Sequence, residues 1–412
     1  MKRVLKDYQG ILGERSVAQL RQLATEIKGA RVVHVNSTRE GGGVAEILDW
    51  LCSLMNDLDL DTSWEVVEGH SDYFRTTKAF HNGLQGQNVP LSKSMIDSYE
   101  ETLEDNAERL RPILEEADYV FIHDPQPALL LKLCPNRRGK WFWRCHIDAS
   151  QPNRKIWSYI KNMVTDYDAS VFSMPDFAHS LPHPQFIIAP SIDPLSDKNC
   201  ELPQTEIDKR LEELDIPRDL PILAQISRFD RFKDPIGVIE AFKLVSSSTR
   251  ARLVLAGGGA TDDPEGAAVL EEVREAAADC ENCHVLMLPS DAHRTINALQ
   301  RASSIVIQKS TQEGFGLTVT EAMWKGRPVI GGNVGGIHLQ VHNHHTGFLV
   351  NSPEGAALKI MELLRAPSKM SFIGETARQF VRDNFLLNRH LREYLVLMAG
   401  VHRKFENHLI TH

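Results

Sequence analysis

The sequence predicts an α/β protein made of two doubly wound domains. Its 412 residues are more than one hydrophobic core usually holds, so two domains are expected. Short β-branched runs alternate with segments of helical periodicity, which is typical of parallel sheets flanked by helices. The alternation is interrupted at 191–204, where Pro, Asp, Ser and Asn replace it. We therefore expect an N-terminal domain over 1–196 and a C-terminal domain over 197–388, with a linker at 191–204.

In the N-terminal domain, an amphipathic helix at 14–28 precedes the first strand. The strand segments are short and rich in β-branched or aromatic residues, and they are RVVHVNST, TSWEVVEG, YVFIHDPQP, KWFWRCHID, ASVFSMP and QFIIAP. A glycine-rich turn follows the first of them and opens into a segment with apolar residues at helical spacing. The final segment, 389–412, also reads as a helix, which we expect to pack back on this domain.

The C-terminal domain repeats the alternation. Strands are predicted at PILAQISRF, ARLVLAGGG, HVLML and SIVIQKS, helices at DPIGVIEAFKLV, GAAVLEEVREAAADC, TINALQRA and TVTEAMWKG, and RPVIGGN, TGFLV and a helix near 354–365 complete the series. Ligands of open α/β sheets bind beyond the carboxyl ends of the strands. Two such domains should therefore face each other across a cleft, with the functional residues in turns that follow strands.

Composition and charge exclude several classes of protein. The formal charge of −9 and the lack of a basic stripe argue against a nucleic-acid partner. No run approaches the roughly 18 apolar residues of a membrane span, and MKRVLKDYQG lacks the apolar core of a signal peptide. The six cysteines are scattered, as in a protein with reduced thiols. We expect a cytoplasmic protein that acts on small molecules, without a membrane or nucleic-acid partner.

Two turns carry groups suited to anions. Gly41, Gly42 and Gly43 lie between a strand and a helix, where backbone N–H groups can approach a phosphate, although a turn that merely allows close packing is equally supported. Arg228 and Lys233 straddle the turn after a buried strand. Such a pair could clamp a diphosphate, or it could be two solvated surface charges.

The stretch TQEGFGLTVTEAMWKG contains two carboxylates in different settings. Glu313 should lie in the loop after a buried strand, and Glu321 about one turn inside the following helix. Eight helical steps would rise about 12 Å, so the spacing does not imply the neighbouring carboxyls of a glycoside hydrolase. Gly314 and Gly316 allow the backbone to approach a ligand. The two carboxylates better suit separate hydroxyl-bearing groups, such as a sugar and a ribose.

Polar residues also follow two strands of the N-terminal domain. His123 and Asp124 come after one strand, and Arg144, His146 and Asp148 after the next. A single histidine beyond a strand is usually a structural residue. Two polar clusters at strand ends that we expect to be neighbours favour a substrate-binding role.

Two cysteine- and histidine-rich stretches resemble metal or haem motifs. CENCH, 280–284, matches a haem-attachment pattern, but no second cysteine pair accompanies it and it forms the short turn into a strand. HNHH, 342–345, suits an exposed turn before TGFLV. We interpret both as structural and predict no metal site.

The combination of these motifs resembles retaining glycosyltransferases of the GT-B fold. Arg228 with Lys233, followed by Glu313-x7-Glu321, is similar to the motif of the group that includes sucrose and glycogen synthases. LKDYQGILGE, GGGVAEIL, TKAFHNGLQG, HDPQPALL, WRCHID and SIDPLSDKN further resemble the trehalose glycosyltransferring synthases over nearly the whole chain. Directly before Glu313, Gln312 stands where the trehalose glycosyltransferring synthases have Arg. The resemblance implies two Rossmann-like domains, a nucleoside-diphosphate glucose donor, a glucose acceptor and trehalose as product.

The resemblance also implies roles on the donor side. Arg228 and Lys233 would stabilise the leaving diphosphate, Glu313 would bind donor-sugar hydroxyls, and Glu321 would bind ribose hydroxyls. Backbone groups would hold the sugar and phosphates, those of Gly41, Gly42, Gly43, Gly314, Phe315, Gly316, Leu317 and Thr318.

On the acceptor side, the resemblance implies that Asp124 contacts the acceptor. His146 would lie near the sugar 6-hydroxyl and the anomeric carbon. Arg144 and Asp148, at the same strand end, are our further candidates for acceptor binding. Retention in this family is usually explained by attack on the same face, with the departing phosphate taking the acceptor proton.

Several alternatives stay open. A trehalose phosphorylase would use inorganic phosphate in place of a nucleotide, a nucleotide-sugar epimerase would need no acceptor, and a nucleotide-sugar sensor would bind without turnover. No cofactor is expected, although Mg²⁺ could act as an activator. The sequence does not determine the nucleotide base, the direction of the reaction or the oligomeric state, and a homodimer is one option.

Overall fold

The computed structural model describes residues 3–39, 42–258 and 264–402. It divides into two compact units. Unit 1 contains the described residues up to Pro190 and from Leu387 onward, and unit 2 runs from Ser191 to Leu386. Each unit is an α/β domain with one parallel sheet, which confirms the predicted fold class.

The described part of unit 1 has a sheet of six parallel strands. They are β1 (Arg31–Asn36), β2 (Asp61–Val66), β3 (Tyr119–His123), β4 (Lys140–Arg144), β5 (Ala169–Phe172) and β6 (Gln185–Ile187). The order is β2-β1-β3-β4-β5-β6. The connections leave β1 toward one edge and then restart at β3 toward the other. The crevice beyond the ends of β1 and β3 is therefore the topological switch point, where ligands of such sheets bind.

Helices cover both faces of this sheet, as a parallel sheet requires. In chain order they are α1 (Gln9–Leu12), α2 (Glu14–Ala24), α3 (Gly43–Asp57), α4 (Ser71–Leu84), α5 (Lys93–Leu114), α6 (Leu130–Leu133) and α7 (Arg154–Val164). The central strand β3 is buried along its length, and its Phe121 stacks on Phe142 with ring centroids 4.7 Å apart. Full burial of one such phenylalanine contributes about 1.5–3 kcal/mol.

The described part of unit 2 also has six parallel strands. They are β7 (Ile222–Ile226), β8 (Arg252–Gly257), β9 (Cys283–Met287), β10 (Ile305–Gln308), β11 (Val329–Gly332) and β12 (Gly347–Val350). The order β12-β11-β10-β7-β8-β9 is that of a dinucleotide-binding sheet. Its switch point lies beyond the ends of β7 and β10. Both predicted glutamate and cation motifs begin in the loops after these two strands.

The helices of unit 2 complete the fold. They are α8 (Gln204–Glu213), α9 (Pro235–Ser246), α10 (Pro264–Ala277), α11 (His293–Ala302), α12 (Leu317–Trp324), α13 (Pro353–Arg365) and α14 (Pro367–Asn384). The chain then returns to unit 1 as α15 (Leu387–His402), which packs against α2 and α3. Tyr394 of this helix is fully buried against Phe121, with ring centroids 5.0 Å apart.

The chain passes from unit 1 into unit 2 at Ser191, within the predicted linker, and the segment 191–204 is an ordered loop of unit 2. Ile192 N–H donates to the carbonyl of Phe385 at 2.9 Å. Asn297 of α11 donates through Nδ2 to the carbonyls of Asp197 and Cys200, at 2.9 and 2.8 Å. The polar, turn-forming composition is that of an ordered loop whose backbone is held by side chains from a helix. Composition alone does not distinguish such a loop from a linker.

No helix in the described ranges is both long and apolar enough to cross a membrane.

Candidate active site

The loop after β7 places Lys233 at the switch point of unit 2. Asp230 accepts a hydrogen bond from Phe232 N–H at 2.8 Å and starts a single 3₁₀ turn, Arg231–Lys233. Asp234 then adopts a left-handed conformation, with φ of 49°, and caps α9 by accepting from Gly237 N–H. Gln225, on β7, donates to the carbonyl of Lys233 at 2.7 Å. The backbone of Lys233 is therefore fixed from both sides.

The loop after β10 places Glu313 next to that lysine. Lys233 Nζ lies 2.6 Å from Glu313 Oε2, and both side chains are largely buried. Ser310 Oγ is 3.3 Å from the same carboxylate oxygen. Lys309, also buried, pairs with Asp234 and so connects the end of β10 to the turn that carries Lys233. Two loops about 80 residues apart in sequence are thus joined by two ion pairs, Lys233–Glu313 and Lys309–Asp234.

A pair of glycines that the sequence did not single out supports the Glu313 loop. A Cβ on Gly335, which has φ of 45°, would lie 1.6 Å from the carbonyl oxygen of Glu313. One on Gly336 would lie 2.6 Å from Phe315 Cα. Gln340 donates through Nε2 to the carbonyl of Phe315 at 2.6 Å. These contacts fix the loop backbone, and they need a close approach between segments that only the folded chain reveals.

The same loop delivers backbone donors to the site. Gly316, with φ of 82°, is the residue before α12, so Leu317 and Thr318 begin the helix. Free N–H groups and the helix dipole at such an end favour an anion. Arg228 lies in the loop after β7, with its side chain 59% exposed and Nη2 3.8 Å from Asp230 Oδ2. It is therefore accessible to a ligand, whereas the Lys233 side chain is only 17% exposed.

Glu321 has a different environment from Glu313. It lies on the second turn of α12 and is 3% exposed, with Lys198 Nζ 3.9 Å from its Oε1. Lys325 donates to the carbonyl of Glu321 at 3.1 Å, and burial lowers the pKa of Lys325 to about 7. The two glutamates thus pair with different lysines, which does not match the shared scissile bond of an acid/base pair.

In unit 1, Asp124 lies at the switch point, directly after β3. Its φ of 64° is in the left-handed region, which Asp tolerates better than most residues. Its Oδ1 accepts a hydrogen bond from His146 N–H at 2.6 Å. Burial raises the pKa of Asp124 to about 7, although that hydrogen bond and Arg144 act in the opposite direction. A carboxyl in this state can accept from, or donate to, a sugar hydroxyl near neutral pH.

Three histidines form a hydrogen-bonded chain beside Asp124. His34 Nδ1 is 3.0 Å from His123 Nε2, and His123 Nδ1 is 2.9 Å from His146 Nε2. Burial lowers the pKa of His34 to about 3 and lowers those of His123 and His146 well below the usual value. His34, on β1, was not among the predicted site residues, because nothing in RVVHVN distinguishes it from a core position.

The other predicted residues of unit 1 have varied positions. Arg144 is fully buried, and its Nη2 donates to the carbonyl of Ile188 at 2.7 Å. It therefore lies in the interior of unit 1 and is not exposed to a ligand beside Asp124. Asp148 accepts from Ser150 through N–H and Oγ, at 2.9 and 2.6 Å.

Of the glycine-rich turn, Gly42 has φ of 84° and precedes α3, which begins at Gly43. Gly41, the first of the three glycines, lies outside the described residues.

The site region also bears on metal ions. Across residues 3–39, 42–258 and 264–402, no group of three or more His, Cys, Asp or Glu side chains is arranged to hold one. The described residues include Cys280, before β9, and Cys283, its first residue, and both are free cysteines.

Comparison with known proteins first defines the class. The sequence pattern of "Glycosyl transferases group 1" matches residues 206–380, which contain the Lys233 and Glu313 cluster. A solved α,α-trehalose-phosphate synthase (UDP-forming) from Burkholderia vietnamiensis aligns with a TM-score of 0.74 at 12% identity, over 92% of this chain and all of that one. That likeness shows the fold alone. Together with the sequence match, it defines a glycosyltransferase with the GT-B fold.

Closer relatives then identify the family. The pattern "Trehalose synthase, N-terminal domain" matches residues 34–179. The trehalose synthase of Pyrococcus horikoshii is 42% identical over 405 residues, which cover 97% of each chain. A trehalose phosphorylase of Pleurotus pulmonarius is 27% identical over 410 residues, covering 86% of this chain and 55% of its own. The chain therefore belongs to the trehalose synthase family of glycosyltransferases.

Proposed function

We propose that the protein transfers glucose from a nucleoside-diphosphate glucose, ADP- or UDP-glucose, to the anomeric hydroxyl of free glucose. The product is trehalose, the α configuration of the donor is retained, and the reaction is reversible. The observation that carries the proposal is the largely buried Lys233–Glu313 contact at the switch point of unit 2. A donor sugar phosphate needs a cation for its leaving group and an acceptor for its hydroxyls, and this contact offers both within one site.

The donor side would use both switch-point loops of unit 2. Arg228 and Lys233 would bind the diphosphate, together with the N–H groups at the start of α12. Glu313 would accept hydrogen bonds from the sugar hydroxyls, and Glu321 from the ribose. Fixed cations and a helix dipole stabilise the charge that grows on the departing diphosphate, without reorganisation during the reaction.

The acceptor side would use Asp124 and His146 of unit 1. We propose that the acceptor hydroxyl attacks the face that the diphosphate leaves, so that the anomeric carbon bonds to the acceptor oxygen as its bond to phosphate breaks. The departing phosphate takes the hydroxyl proton. His146 would not act as a base in this step, because burial lowers its pKa well below neutrality. Its role would be to position the sugar.

The test is a matched set of donors with one acceptor. The purified protein is incubated with ADP-, UDP- or GDP-glucose and free glucose, and the product linkage is read by NMR. An α,α-1,1 disaccharide formed together with nucleoside diphosphate supports the proposal. Nucleotide release without a disaccharide, or a product of another linkage, contradicts it. Incubating trehalose with the nucleoside diphosphate tests the reverse direction.

Trehalose phosphorylase is the second candidate, because a phosphorylase is among the relatives. It would convert trehalose and inorganic phosphate into glucose and glucose phosphate. The two reactions differ in what they require. Glucose release from trehalose that needs a nucleoside diphosphate and not phosphate supports the synthase, and the opposite requirement supports the phosphorylase.

We further propose that no metal ion is required, and that Mg²⁺, if it helps, binds the diphosphate of the donor. Activity should then fall but persist in excess EDTA. Complete loss that only Mg²⁺ restores would contradict this.

Glu313→Ala should reduce turnover by about 10²-fold or more, because the transferred sugar loses its charged hydrogen-bond acceptor. Glu375→Ala, at an exposed position on α14, is the control and should keep wild-type rates. Steady-state kinetics and circular dichroism are measured on both variants. Near-normal turnover of a folded Glu313→Ala would remove this residue from the site.

A further inference from the structure

The histidine chain of unit 1 extends from the acceptor candidates into the core. His146 is partly exposed at the end of the chain, His123 is 2% exposed, and His34 is fully buried. The His34 ring stacks on Phe121, with centroids 4.9 Å apart and an interplanar angle of 13°. The ring of His123 is held between its two neighbours, because each of its nitrogens is within hydrogen-bond distance of one of them.

The pKa values of all three rings are lowered from the ordinary value, which favours the neutral imidazole near physiological pH. Burial is the largest cause in each, and for His123 and His146 the buried guanidinium of Arg144 adds electrostatic repulsion. A neutral imidazole carries one N–H and one lone pair. The three histidines therefore have three ring N–H groups but only two hydrogen bonds between them. The N–H group that is not used lies at one end of the row, on His34 or on His146.

The atoms that meet make the rings interdependent. Both contacts join Nδ1 of one ring to Nε2 of the next. If His34 carries its proton on Nδ1, then His123 must accept on Nε2 and donate from Nδ1, and His146 must do the same. The opposite choice at His34 places every proton on Nε2. Mixed tautomers would put two donors or two lone pairs in contact.

We propose that His34 and His123 are positioning residues of the acceptor site, which hold His146 in one neutral tautomer shared by all three rings. Whether His146 offers a donor or an acceptor to the substrate is then decided at the buried end of the chain. Hydrogen bonds in such a chain polarise one another, so the preference is cooperative. This role rests on the proposed function, whereas the shared tautomer is a property of the chain alone.

Two variants of His34 separate positioning from packing. His34→Leu fills the space but breaks the chain, and His34→Asn keeps an amide that can bond to His123 Nε2. We expect kcat/KM for glucose to fall roughly 10- to 100-fold in His34→Leu, by analogy with the outer partners of metal-ligating histidines, and to recover largely in His34→Asn. His183→Leu is the control, since His183 also has a hydrogen-bonded ring in unit 1 but lies outside the chain.

The direct test is ¹⁵N NMR of the histidine side chains in the substrate-free protein, assigned with single-histidine variants. The expected result is one tautomer common to His34, His123 and His146, with no titration between about pH 5 and 8. Different tautomers among the three rings, or a titrating His146, would overturn the proposal. So would equal losses in the Leu and Asn variants. The NMR result stands even if glucose transfer is not found, so failure of the proposed function would be recognised separately.

Discussion

The neutral state of His34 predicts a measurable contribution to acid sensitivity. Its pKa is about 3 in the folded protein and 6.5 as the ordinary value. Because folding lowers this pKa, the unfolded protein takes up the proton at a higher pH than the folded protein does. Its contribution to stability is therefore fully present above about pH 6.5 and is lost as the pH falls toward 3. Between about pH 7.5 and pH 5, this one residue should account for a loss of about 2 kcal/mol in the free energy of unfolding.

The perturbation that isolates this contribution is His34→Leu. Urea unfolding is followed by tryptophan fluorescence, which reports mainly on unit 1, because Trp324 is the one tryptophan outside it. Wild type and variant are each measured at about pH 7.5 and pH 5. The decrease in unfolding free energy between about pH 7.5 and pH 5 should be about 2 kcal/mol smaller in His34→Leu than in the wild type. This difference does not depend on how stable the variant is at about pH 7.5.

An equal drop in the two proteins would refute the reasoning, since it would mean that His34 can become protonated in the fold. His183→Leu again serves as control. The pKa of His183 is lowered by burial as well, but its ring is only half-buried, so a smaller change in the drop is expected.

Three further substitutions test the site. Arg228→Ala should reduce turnover by about 10²-fold or more, because the leaving group loses a stabilising cation. Its unfolding free energy should change by under about 0.5 kcal/mol, because the side chain is exposed. Equal kinetics in Arg228→Ala and the surface control Arg231→Ala would contradict this assignment. Gly335→Ala should displace the Glu313 loop and reduce kcat/KM by about 10²-fold. Gly355→Ala, whose Cβ would have ordinary contacts, should keep the wild-type value. Wild-type kinetics in both variants would refute the close approach of Gly335 to the carbonyl of Glu313. Asp124→Asn should unfold at nearly the wild-type urea concentration, because Asn tolerates the left-handed backbone. Asp124→Ala should lose about 1–3 kcal/mol of unfolding free energy. Equal stability of the two variants would show that the backbone conformation at this position is unstrained.

Much of the fold could be predicted from the sequence because its signals are local. Each buried strand of a parallel sheet is a short apolar run, such as YVFIH, and each helix has its own period. The predicted helix near 354–365 is α13, Pro353–Arg365. The order within 191–204 could not be predicted, because backbone carbonyls of this segment are bound by Asn297 of α11, about 100 residues away, and no local pattern shows this.

For the candidate site, the sequence predicts positions better than contacts. The rule that ligands bind beyond strand ends directs attention to the loops of Glu313 and Asp124. It says nothing about which side chains meet. The buried pairing of Lys233 with Glu313, the interior position of Arg144 and the bond of His34 to His123 all depend on how neighbouring strands are registered.

The return of the chain to unit 1 has a consequence for biosynthesis. Unit 2 is inserted within unit 1, and its two ends are side by side, since Ile192 pairs with Leu386. It could be excised as a continuous piece with adjacent termini. Unit 1 cannot be completed before unit 2 has been made, because Leu391, Tyr394 and Leu395 are fully buried and follow unit 2 in the sequence. Of these two units, the one that begins earlier in translation is thus the one that closes its core later, and a nascent chain arrested before Leu387 would expose that apolar surface.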